Sequence, residues 1–133
     1  MQSDAYRAPQ DLNTPRALEY TAFSHTTSAL SRAQNPTSHP STPVDRTAQC
    51  AQRLEALHRN LMLWTVIFAA VTDPGNQLPR ALCGQIAELA QFVAKYTEQA
   101  RKTDADLEPL IDINVAIMRG LRGESTTVLA ETA

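Results

Sequence analysis

Residues 61–82 read LMLWTVIFAAVTDPGNQLPRAL. The first eleven of them, 61–71, contain one polar side chain, Thr65. Asp73-Pro74-Gly75-Asn76 stops the run, and Leu78-Pro79 begins another. An apolar run this short falls below the about 20 residues that span a bilayer. It has to be hidden inside a folded helical domain or against another protein.

Upstream, Cys50, Leu54, Leu57, Leu61, Trp64, Phe68 and Val71 recur in alternating steps of four and three. That spacing lays one stripe along a helix, with Gln52, Arg53, Glu55, Arg59 and Asn60 on the other side. Beyond Leu61 the polar face disappears, because Met62, Leu63, Val66 and Ile67 make the helix apolar all round. Thr42-Pro43 marks its start, with a hydroxyl cap, a proline at the first helical position and Asp45 in the first turn. At its other end Pro74 disfavours helical geometry at Asp73, and Gly75 permits a positive φ. So short a connection turns the next helix back antiparallel.

That next helix starts near Pro79 and carries Leu82, Ile86, Leu89, Val93, Tyr96 and Ala100 on one face. Arg101 and Lys102 suit its carbonyl end. Thr103-Asp104-Ala105-Asp106 is a polar hinge with two candidate caps. A last helix follows, with Leu110, Ile113, Ile117 and Leu121 in its stripe and Ile111, Val115 and Met118 beside them. Gly120 and Gly123 supply its stop signal. Before all of these, Thr14-Pro15 opens a first helix with Leu18, Ala22, Phe23, Ala29, Leu30 and Ala33. Its period is weakened by Ser and Thr.

The chain is therefore read as all-α, a small antiparallel bundle of four helices. A single domain spans 14–123, between flexible segments at 1–13 and 124–133. A Pro/Ser/Thr-rich loop at 34–43 tethers the first helix to a compact unit made by the last three.

The 133 residues carry a formal net charge of −2 with both signs scattered, so there is no basic stripe for a nucleic acid. The N-terminus lacks the apolar core of an export signal. Cys50 and Cys83 then read as reduced cysteines packed like small hydrophobes. The expected location is the cytoplasm, with no membrane association.

The residues offer little chemistry. His25, His39 and His58 have no ligand partner at helical spacing, and no Cys-x-x-Cys occurs, so no metal site is expected. The four glycines make no phosphate loop. No nucleophile elbow, paired carboxylates or cofactor motif appears; the expectation is no enzyme and no cofactor. Asp104, Asp106, Glu108 and Asp112 cluster at a helix start, where capping accounts for them. Asn114 falls at stripe spacing, either as a buried polar group that fixes register or as a capping donor. Trp64 is a core anchor or an interface hot spot. The candidate partner-binding residues are Leu61, Leu63, Trp64, Ile67 and Phe68, which could line a groove for an amphipathic helix.

Several of these features together resemble the flagellar biosynthesis regulator FlaF family of alphaproteobacteria. They are Leu63-Trp64 in a long helix, the turn Asp73-Pro74-x-Asn76-x-Leu78-Pro79, and the closing Leu110-Ile111-x-Ile113-Asn114-x-x-Ile117-x-x-Gly120-Leu121. Pro15-Arg16, Glu19, Phe23 and Ala29-Leu30 look like the family's first helix. The resemblance implies a non-enzymatic cytoplasmic protein that binds flagellin as a secretion chaperone and promotes flagellin synthesis and filament assembly. It also implies action with the flagellin-translation repressor FlbT. Two other readings stay open: a homo-oligomeric interaction module that forms, for instance, a homodimer, and a post-transcriptional regulator contacting RNA, although no direct nucleic-acid contact is expected.

Overall fold

Thr42 opens the longest helix of the bundle by accepting a hydrogen bond from the Asp45 backbone N–H at 3.0 Å, with Pro43 in the first helical position. Asp45 in turn accepts from the Ser41 backbone and hydroxyl, at 3.3 and 3.1 Å. The start read from Thr-Pro is thus locked reciprocally. In a computed structural model, which describes residues 15–36 and 39–121, four helices follow one another. They are α1 (Pro15–Gln34), α2 (Pro43–Thr72), α3 (Arg80–Lys102) and α4 (Glu108–Leu121). No strand occurs among the described residues. The segments expected to be flexible at 1–13 and 124–133 lie outside them.

The turn between α2 and α3 is held by Asn76. Its amide donates to the Ala70 carbonyl at 2.9 Å, and its side-chain oxygen accepts from the Leu78 N–H at 2.8 Å. One side chain thereby ends one helix and aims the chain into the next. Gly75 has a different role from the expected one. Its φ is not positive; a Cβ there would stand 3.1 Å from the Asp73 carboxylate that accepts the Gly75 N–H. Contacts along α2 and α3 run in opposite senses. Arg53 reaches the end of α3, donating to the carbonyls of Ala100, Thr103 and Ala105 at 3.3, 3.3 and 2.7 Å. Trp64 and Phe68 lie opposite Ala90 and Ala94.

The loop before α2 left the docking of α1 open; in keeping with the four-helix reading, α1 is a full member of the bundle, packed between α2 and α4. Phe23 and Leu30 are fully buried, and the Phe23 ring meets Trp64 edge-on at 5.5 Å. Thr26 and Thr27, which weaken the apolar period, are themselves buried. Gln34 ties the end of α1 to the start of α4. Its amide donates to the Asp106 carboxylate, and its oxygen accepts from the Leu107 N–H at 3.0 Å. Asp106 also accepts from the Glu108 N–H at 3.0 Å, so one member of the acidic cluster bonds the first turn of α4. Gly120 lies inside α4 rather than ending it, and Gly123 is outside the described residues.

The core stripe of α2 is rotated from the expected one. Ala56, Leu57, Asn60, Trp64, Ile67 and Val71 are buried. Leu54 and Cys50 are exposed, and Leu61 and Phe68 are half-buried. Cys50 is therefore not packed as a small hydrophobe, whereas half-buried Cys83 sits against the core. On α3 the buried line is Ala90, Val93, Thr97 and Ala100, flanked by half-buried Leu82, Ile86, Leu89 and Tyr96. On α4 it is Leu110, Ile111, Ile113, Asn114, Ala116 and Ile117. Over an 18-residue window α2 has a mean hydropathy of 1.2, which by length and composition is enough to cross a membrane. The expectation of no spanning segment counted only the uninterrupted apolar run and is too strict; 33% of that window is buried inside the bundle.

Candidate functional site

Asn114 settles which way α2 faces. It is fully buried, and its oxygen accepts from the Trp64 indole N–H at 2.9 Å. Its amide donates to the Asn60 side-chain oxygen at 2.8 Å. Of the two readings for Asn114, the buried register-fixing group is the one found. Trp64 is a core anchor, 1% exposed, and Asn60 belongs to the interior rather than to the wet face. Truncating a buried Trp costs roughly 3–5 kcal/mol, so this side chain is spent on stability.

With Trp64 turned inward, the side chains flanking it on α2 face α3 across a groove. Leu54, His58, Leu61, Thr65 and Phe68 recur in steps of four and three along one flank of α2. Opposite them stand Ala90, Ala94, Thr97 and Arg101 of α3, again in steps of four and three. Because α3 offers small side chains here, the two helices leave room between them. Two clefts result, of about 200 and 270 Å³, and Leu61 lines both. Trp64 forms the floor of the first.

Of the five candidate partner-binding residues, Leu61, Trp64 and Phe68 line this groove. Ile67 is buried on the core side, and half-buried Leu63 packs against the core. Two further apolar side chains of the run stand out on the back of α2: Met62, 49% exposed, and Val66, 57% exposed. The apolar run is therefore neither wholly sheltered nor wholly open. The α3 wall was missed in the sequence. Its signal was the recurrence of Ala90, Ala94 and Thr97 on one flank of the helix, which looks like ordinary filler beside the Leu and Val stripe.

The groove's two ends differ. Around Phe68 and Ala90 it is almost wholly apolar. Around Leu54 it meets His58, Thr97 and Arg101. Thr97 is 1% exposed, and its hydroxyl has no hydrogen-bond partner. Among the described residues no cluster of His, Cys, Asp or Glu could hold a metal ion.

A family model described as flagellar protein FlaF matches residues 2–121. The chain belongs to this family. Comparison with curated proteins and with solved structures found no match. Within this FlaF-family chain, the features that carried the resemblance are structural ones. Trp64 and Asn114 bond to each other, Asn76 clamps the turn, and Phe23 packs on Trp64. Apart from Trp64, which floors one cleft, the groove is built beside them, on positions that played little part in the resemblance.

Proposed function

We propose that this protein is a non-enzymatic cytoplasmic factor for flagellum biogenesis that binds flagellin, acting as its secretion chaperone and promoting its synthesis and filament assembly. Membership of the FlaF family gives the flagellar context. The observation that supports a binding role is the apolar groove between α2 and α3, centred on Leu61. A groove of this kind takes an amphipathic helix through contacts at i, i+3 and i+4. Flagellin has long amphipathic terminal helices that must stay unassembled before export. A complex that also has to release its client fits a standard-size interface, roughly 1,600 Å² in total. Action with the translation repressor FlbT belongs to the same reading.

The test is calorimetry of the purified protein with purified flagellin. The wild-type protein binds, and Leu61→Ala weakens binding by about tenfold, or roughly 1.4 kcal/mol, with its circular dichroism spectrum preserved. A correctly folded wild-type protein that captures no flagellin removes this reading. A concentration-dependent homodimer in sedimentation would favour the oligomerisation module instead, with exposed Met62 and Val66 as its natural contacts.

A further inference from the structure

We propose that the groove between α2 and α3 reads the polarity of its client. It takes one amphipathic helix lengthwise, with an acidic side chain of that helix seated at the Arg101 end. This rests on the binding role proposed above and adds a direction to it.

Length comes first. Leu54 and Phe68 are fourteen residues apart on one helix, which at about 1.5 Å per residue gives a groove about 21 Å long. That matches about four turns of a bound helix. Chemistry along this length is asymmetric. One end is lined by Phe68, Ala90 and Ala94 and offers only apolar contact. The other has His58 and Arg101 on its rim.

Two further observations point to an acidic group there. Thr97 lines this end, and its hydroxyl is buried beneath the surface without a partner. An unpaired buried hydroxyl is unfavourable until something bonds to it, and a carboxylate is an acceptor it can serve. Charge is also in surplus. Arg101 and Lys102 both reach the single carboxylate of Glu98, at 3.4 and 3.5 Å. The Arg101 and Glu98 side chains are 54% and 55% exposed, so this pair exchanges readily with another acid. Charges at the rim of an interface govern orientation and encounter more than affinity. The apolar end supplies the attraction and the Arg101 end selects the direction.

The test uses the full chain and purified flagellin as the probe, with binding followed by calorimetry at low and high salt. Three substitutions are informative. Ala94→Lys places bulk and charge in the apolar end at an exposed helical position and is expected to weaken binding at least about tenfold. Arg101→Glu is expected to weaken it similarly at low salt and to abolish the salt dependence. Thr97→Val removes the unpaired hydroxyl. It leaves the thermal midpoint unchanged or raised while weakening binding severalfold, a combination that a purely structural role of Thr97 does not produce. Circular dichroism confirms the fold of each. If flagellin binds and none of the three changes its affinity, the groove assignment is overturned while the flagellin-binding reading stands. If flagellin binds and only Ala94→Lys matters, the groove is used without direction and the proposal fails. If Ala94→Lys instead dissolves a homodimer, a second copy is the occupant and the proposal fails. If folded wild-type protein binds no flagellin, both readings fall together.

Discussion

Asn114 is the residue on which the interior turns. It serves two partners at once, accepting from Trp64 and donating to Asn60, all three being buried. Deleting it leaves an indole N–H and a carboxamide oxygen without partners. Each orphaned buried group costs about 1–3 kcal/mol, so Asn114→Ala is expected to lower stability by roughly 2–4 kcal/mol in urea unfolding. A loss under about 0.5 kcal/mol would mean that the network does not hold the register. The sequence placed Asn114 on the stripe of α4 correctly, but it put Asn60 on the wet face of α2. An apolar count has no means of seeing that one buried amide calls for another. In a helix apolar all round, two neighbouring stripes fit a four-three pattern equally well. Asn60 and its bond to Asn114 break that tie, and only the third dimension reveals it.

Helix starts carry the pH response. Asp45 lies below the ordinary aspartate value of 3.8, because the Ser41 backbone and hydroxyl bond its carboxylate, as does Thr42. Glu108 lies above the ordinary glutamate value of 4.5, through partial desolvation and then the Asp112 and Asp106 carboxylates. The signs differ. Support from Asp45 is present above pH 3.8 and is lost as pH falls through its lowered folded value. The contribution of Glu108 is fully present below pH 4.5 and is lost as pH rises through its raised folded value. Thermal melts of the wild type and of Glu108→Gln should therefore converge as pH falls toward 4.5 and separate above it, the variant being the more stable at neutral pH. Equal differences at every pH would show that Glu108 has no part in this response. These starts were largely legible beforehand. Thr42-Pro43, Asp106 and the Asp-Pro-Gly-Asn turn act through bonds to residues a few positions away, and such bonds follow from local sequence. The groove was not legible in the same way, because it depends on the packing distance of two helices and on alanines whose meaning is the space they leave.

At the level of the whole molecule, the docking of α1 is what the sequence reading left open within its four-helix bundle. Its Ser and Thr residues dilute the helical period, yet Thr26, Thr27, Phe23, Ala29 and Leu30 are all buried. A count of apolar residues does not register this, because threonines facing a neighbouring helix can be packed as well as alanines. Removal of residues 1–34 should therefore strip Trp64 of its Phe23 partner, and the remaining chain should lose its cooperative thermal transition and bind a hydrophobic dye. A sharp transition in the shortened protein would restore the three-helix unit expected from sequence. Gln34 has a last consequence. It grips Asp106 and the Leu107 N–H, 72 and 73 residues further on, and α1 packs on α4. Synthesis runs from the N-terminus, so α1 waits for α4 before this seam can form. The part of the interior that joins them closes later than the turn between α2 and α3, whose bonds are local.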